Sequence, residues 1–126
     1  MDLVAITENF SVHRLLGVAP ALTDRQVGTW YSRKDHWANH GVDHETALAH
    51  VWPQMDGFVV VRNAFQHGLG VLTQQQLTQH RDDVLRVLSQ CGVFVDGARV
   101  RLADTDVRRC ASTCFAYILE VDNRAL

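Results

Sequence analysis

Apolar residues recur along most of this chain at intervals of three and four, the spacing that puts them on one side of an α-helix. In residues 2–18 the pattern is Leu3, Ile6 and Phe10, then Val12, Leu15 and Leu16, and Gly17 and Pro20 end it. Thr23 or Asp24 can cap a second helix whose apolar face is Val27, Trp30, Tyr31 and Trp37, and Gly41 stops it. Asp43 then opens a short helical segment with Ala47, Leu48, Val51 and Trp52. Pro53 interrupts this segment, because proline has no amide donor and crowds the preceding turn.

The next helix starts near Pro53 and carries Met55, Phe58, Val59, Val61, Ala64 and Phe65. Phe58–Val61 is rich in β-branched residues, yet the apolar pattern continues past Arg62 and Asn63, which favours helix over strand. Gly68 and Gly70 close it. Residues 74–90 read as one polar-faced helix with Leu77, Val84, Leu85 and Leu88 inward and an Asp82–Arg86 pair outside. In residues 93–102, Asp96-Gly97 between alternating segments predicts a two-residue hairpin. A last helix starts near Asp104, with a wide apolar stripe of Val107, Cys110, Ala111, Cys114, Phe115, Ile118 and Leu119. The elements add up to a mainly α fold, an up-and-down helical bundle with one small β-hairpin. At 126 residues the chain is read as a single domain, 1–126.

A net charge of −2 means that any nucleic-acid contact is local rather than spread over the molecule. The basic side chains are nearly all arginine, with Lys34 the only lysine. Arginine offers a planar fork of donors suited to phosphate, although a GC-rich genome gives the same bias. Cys91, Cys110 and Cys114 are odd in number and lack a C-x-x-C spacing. They read as small core hydrophobes in a reducing, cytoplasmic setting rather than as a disulfide frame or a zinc site. Asp2 and Glu8 stand where a signal peptide would be basic, and no apolar run reaches the ~20 residues that cross a bilayer. No cofactor is expected.

The candidate chemistry centres on Arg62-Asn63-Ala64-Phe65-Gln66-His67-Gly68-Leu69-Gly70, a polar interruption at the end of an apolar helix, running into a glycine turn. Spacing alone also suits a plainer reading, in which Arg62 and Asn63 solvate a helix face and His67 caps the C-terminus. Three other groups have plain and sharp readings. His36, His40, His44 and His50 could gather a metal, but Gly41 interrupts the helix and no H-E-x-x-H spacing occurs, so a polar surface or loop cluster fits better. Trp30, Trp37 and Trp52 could stack on bases, but fit a core. Arg99, Arg101, Arg108 and Arg109 could contact RNA phosphates, or simply solvate a face.

The Arg62–His67 segment resembles the signature of the HEPN superfamily, an arginine separated by four to six residues from a histidine, often with a polar residue directly after the arginine. Residues 59–121 follow the order of its RiboL-PSP-like branch: an R-N-x-x-x-H helix end, a glycine turn, a helix, a small hairpin and a final helix. Residues 1–50 fit only as generic preceding helices. The resemblance implies a metal-independent endoribonuclease, a homodimer whose active site lies at the interface, with Arg62, Asn63 and His67 catalytic. It further implies a toxin or effector of a bacterial toxin–antitoxin or anti-phage system, with an antitoxin or regulatory protein as partner. Many members of the superfamily are inert, so a HEPN-like module that binds RNA or protein without cutting is the alternative.

The implied roles agree with side-chain chemistry. Residues five apart on a helix are rotated by about 140° and separated by about 7.5 Å, so one helix does not easily aim both Arg62 and His67 at one phosphate. A symmetric pair of such helices can. The imidazole can move the proton of a ribose 2′-hydroxyl or of the leaving oxygen. The guanidinium can stabilise charge growing on the phosphate, and Asn63 can orient either. The expected products are a 2′,3′-cyclic phosphate and a 5′-hydroxyl, and DNA would not be cut.

Overall fold

A computed structural model describes residues 2–68, 70–78 and 81–125, with only the backbone described for Asp2, His67, Gly68 and Gln75. The fold is mainly α with one small antiparallel hairpin, the class that the periodicity predicts. Its elements are α1 (Asp2–Val18), α2 (Asp24–Val27), α3 (Trp30–Asn39), α4 (Trp52–Gly68), α5 (Gln74–Thr78), α6 (Arg81–Gln90), β1 (Phe94–Asp96), β2 (Arg99–Arg101) and α7 (Asp104–Arg124). They gather into two compact units, Pro53–Thr113 and Asp2–Trp52 with Cys114–Leu126.

In the unit formed by Asp2–Trp52 and Cys114–Leu126, α1 turns Val4, Thr7, Ser11 and Leu15 inward. Leu3 and Ile6, expected in the core, are 40% and 60% exposed. The inward side therefore includes two hydroxyls that an apolar count passes over. The helix expected from Thr23 to Gly41 is two helices, because Thr29 caps α3 through Ser32 N–H just as Thr23 caps α2 through Gln26. Residues 43–51 form turns rather than a short helix. Trp30, Trp37 and Trp52 are core residues, as are Tyr117 and Val121 of α7.

In the unit Pro53–Thr113, Pro53 sits in the first turn of α4, where a missing amide costs nothing. Gly57, Phe58, Val59, Val60 and Val61 are all buried. Gly57 is required there, because a Cβ would lie 2.5 Å from Cys91 Sγ and 2.9 Å from the Val87 carbonyl oxygen. Within 74–90, α5 and α6 are described separately, and positions 79 and 80 lie outside the described residues. Arg86 pairs with Asp83 at 3.8 Å rather than with Asp82, and Leu85 is 37% exposed rather than core.

The hairpin register is Phe94↔Arg101, Val95↔Val100 and Asp96↔Arg99. Gly97 takes the first turn position at φ 62°, as a mirrored hairpin turn requires. The α7 stripe is narrower than its apolar pattern suggests. Cys110, Cys114, Tyr117 and Val121 are buried, but Val107, Phe115 and Leu119 are 50%, 65% and 46% exposed.

Candidate functional site

The segment with the sharpest sequence signal lies on the last turns of α4. Four consecutive buried apolar residues, Phe58–Val61, precede Arg62 and Asn63, both of which are half-buried. Neither side chain forms a hydrogen bond or ion pair with another described residue. α4 continues unbroken through Gly68, which puts positions 63 and 67 one turn apart on one helix. The side chain of His67 and the whole of Leu69 lie outside the described residues.

The glycine turn that ends α4 is tied to the hairpin by backbone bonds. Gly70 has φ 89°, its N–H donates to the Ala64 carbonyl at 3.1 Å, and a Cβ there would meet the Phe65 ring at 2.9 Å. The Val100 N–H donates to the Gly70 carbonyl at 2.8 Å, and the Leu72 N–H donates to the Ala98 carbonyl at 2.7 Å. Val71 and Arg99 form an isolated antiparallel bridge. The chain just beyond the Arg62–His67 segment is thus bridged to β2 at a single residue pair, with Arg99 directly across from Val71.

On β2 the alternation exposes Arg99 and Arg101 and buries Val100. Arg101 shares an exposed ion pair with Asp96 at 3.6 Å. Arg108 is exposed. Arg109, the fourth arginine of the group, holds structure instead: it donates to the Cys91 carbonyl and pairs with buried Asp106 at 3.1 Å. The structure thus joins Arg99 to the segment after α4 through backbone, and shows no side-chain bond from Arg99 or Arg108 to Arg62 or Asn63 among the described residues.

The histidine group does not converge. His36 is half-buried, His40 and His50 are exposed, and His50 faces Glu120 at 3.4 Å. His44 is 1% exposed, which corrects its reading as a surface residue. No group of three possible metal ligands occurs among the described residues.

Instead, His44 belongs to a buried polar chain that the sequence did not signal. Trp37 Nε1–H donates to Ser11 Oγ at 3.1 Å, Ser11 Oγ lies 3.4 Å from the Tyr117 hydroxyl, and that hydroxyl lies 2.7 Å from His44 Nε2. Indole only donates, so Ser11 Oγ accepts from Trp37, while the Tyr117 hydroxyl bridges Ser11 Oγ and His44 Nε2 in directions that depend on the His44 tautomer. Burial lowers the His44 pKa to about 4, with a backbone hydrogen bond at Val42 opposing part of the shift. Burial also pushes Tyr117 up to about 12, with Ser11 opposing. Beside the chain, buried Arg33 pairs with Glu8 at 2.7 Å, donates to the Val27 carbonyl at 2.6 Å and stacks over Trp30 at 4.7 Å. Tyr117 could have been found from its spacing with Cys110, Cys114 and Val121, whereas no local signal marks Arg33 or His44 as buried. The chain lies in the buried core of its unit, where His44 Nδ1 and, beside it, Arg33 Nε have no hydrogen-bond partner of regular geometry among the described residues.

No family model matches the chain, and neither a curated protein nor a solved structure matches it. Among the described residues no helix is long and apolar enough to cross a membrane.

Proposed function

We propose that the protein is a HEPN-type, metal-independent endoribonuclease with Arg62, Asn63 and His67 as its catalytic residues. The observation that carries this reading is the state of Arg62 and Asn63. They are half-buried polar side chains that interrupt a buried helix and have no described partner. A purely structural arginine in this fold looks different: Arg33 and Arg109 are both held by carboxylates and carbonyl oxygens. Exposed Arg99 and Arg108, in the same unit, offer forks for the phosphates of a bound RNA.

In this reading His67 moves the proton of the 2′-hydroxyl or of the leaving 5′-oxygen, while Arg62 stabilises the charge that grows on the phosphate. Asn63, one turn before position 67, orients the imidazole or a phosphate oxygen. The active unit is a homodimer in which two such segments meet. The setting is the bacterial cytoplasm, as a toxin or effector held in check by an antitoxin or regulatory protein.

The test is cleavage of RNA in excess EDTA by the wild type and by His67→Ala. The wild type cuts, leaving 2′,3′-cyclic phosphate ends, and the variant does not. A wild type that binds RNA without cutting it would move the assignment to an inert HEPN-like binding module. A variant that still cuts would remove His67 from the chemistry.

A further inference from the structure

Phe94 is the most exposed large apolar side chain among the described residues, at 67%. The hairpin register sets its surroundings. Phe94 faces Arg101 and Asp96 faces Arg99, so these four side chains share the outer face of the hairpin, while Val100 on the other face is buried. Arg101 lies directly across from Phe94, about 5 Å away at Cβ, and Arg99 lies on the diagonal, within about 8 Å. Among the described residues no cation covers the Phe94 ring and no other ring packs on it. Phe94 also lines an open groove with Leu85 and Ser89 of α6 and with Val95. Because Asp96 and Arg99 close a two-residue turn, Val95 and Val100 form a non-hydrogen-bonded pair. The N–H and C=O of Val95 therefore point away from β2, and neither meets another described backbone group. The Ser89 hydroxyl has no described partner either.

We infer that this face is a base-stacking platform for single-stranded RNA. Phe94 lies under one unpaired base, Arg99 and Arg101 hold the phosphates beside it, and Ser89 and the Val95 backbone meet the edge of that base. The inference rests on the RNA reading of the protein and deepens it, because it says which RNA is taken: one with unpaired nucleotides. An aromatic face accepts any base, and the arginine fork suits each flanking phosphate. Two arginines against one aspartate favour a polyanion, and the Arg101–Asp96 pair is exposed and yields easily to a phosphate. A duplex keeps its bases stacked inside and offers the ring nothing. The competing occupant is a peptide strand added at the β1 edge. Such a strand binds through a row of main-chain bonds, and Val95 alone gives it one N–H and one C=O. The backbone also ties the platform to the end of α4. Val100, between the two arginines, donates to the Gly70 carbonyl, and Gly70 donates to the carbonyl of Ala64, the residue after Asn63. A strand held on the hairpin is thus presented beside the proposed cutting site.

The experiment is fluorescence anisotropy on the full chain with three labelled probes of equal length: an oligo-U RNA, its 2′-deoxy counterpart and an RNA duplex. Both single strands bind, since neither stacking nor phosphate contact needs the 2′-hydroxyl, and the duplex binds at least ~10-fold more weakly. Phe94→Ala weakens single-strand binding by about 5- to 150-fold, the range for one lost stack, and leaves the salt slope unchanged. Phe94→Trp keeps the affinity. Arg101→Ala lowers the salt slope by about 0.7. Circular dichroism of Phe94→Ala matches the wild type, because the ring is exposed. Unchanged affinity in Phe94→Ala, or a duplex bound as tightly as a single strand, overturns the inference. So does the absence of binding to any probe at ~100 µM, the weak end of non-specific affinity, which would leave the face to a protein partner. The deoxy strand has no 2′-hydroxyl to attack, so binding is read apart from cleavage. A chain that binds through Phe94 without cutting RNA loses the nuclease reading and keeps the platform. A chain that cuts RNA, and binds and cuts it equally well as Phe94→Ala, keeps the nuclease reading and loses the platform.

Discussion

His44 Nε2 and the Tyr117 hydroxyl lie 2.7 Å apart, joining positions 73 residues apart in the sequence. The pair is buried among Trp30 and Trp52, whose rings stand 5.0–6.3 Å from those of His44 and Tyr117. A neutral imidazole hydrogen-bonded to a neutral phenol can occupy such a place, whereas an imidazolium there would face a desolvation cost. This fixes how stability depends on pH.

The folded chain binds the His44 proton only near pH 4, while an unfolded chain binds it near 6.5. The stability contributed by neutral His44 is fully present above about pH 6.5 and is lost progressively as pH falls toward 4. The total loss is on the order of 3 kcal/mol. Urea unfolding at a series of pH values from 7 to 4 measures it. His44→Phe, which cannot bind the proton, should flatten that slope, and an equal slope in the variant would assign the effect to other groups.

Tyr117 works at the other end of the scale. Its folded pKa lies near 12 against an ordinary 10, so the unfolded state ionises first and stability falls as pH rises from about 10 to 12. Tyr117→Phe removes the shared hydrogen-bond partner of His44 and Ser11 and should cost roughly 1–3 kcal/mol at neutral pH. Thermal melts of the variant at pH 7 and pH 11 separate the two effects.

At Gly57 helix propensity and packing point in opposite directions. Alanine is the better helix former by about 1 kcal/mol, but its Cβ would collide with Cys91 and the Val87 carbonyl. Overpacking should win, so Gly57→Ala is destabilising by about 1–3 kcal/mol in urea unfolding. A more stable variant would mean that α4 and α6 separate more easily than their contact suggests.

For the nuclease reading, Arg62→Ala should lower the cleavage rate by about 10²–10³ while leaving the fold intact, as loss of a transition-state donor does. Asn63→Ala should have a smaller effect. Circular dichroism on the same samples verifies folding. A variant that unfolds would instead place Arg62 with the structural arginines.

Arg99→Ala and Arg109→Ala should part ways. Arg99 makes no ion pair among the described residues, so its loss should weaken RNA binding and reduce the salt slope by about 0.7 per phosphate contact, with the melting temperature nearly unchanged. Arg109 bonds the Cys91 carbonyl and Asp106, so its loss should lower the melting temperature instead. Fluorescence anisotropy at two salt concentrations, beside a thermal melt, tells them apart.

The sequence by itself determined most of the helices, the presence of a hairpin near Gly97 and the polar break at Arg62–Asn63, because periodicity, caps and turn residues act over a few positions, although the hairpin turn is Gly97-Ala98 rather than Asp96-Gly97, with Asp96 paired to Arg99. Thr23 and the hairpin are legible for that reason. What only the tertiary structure decided is which side of each amphipathic helix faces in. α1 turns in Thr7 and Ser11 rather than Ile6, and α7 turns in Tyr117 rather than Phe115. His44 becomes a core residue instead of one of four surface histidines. These choices depend on hydrogen-bond partners dozens of residues away, and a buried hydroxyl or imidazole is stable only once its partner has arrived.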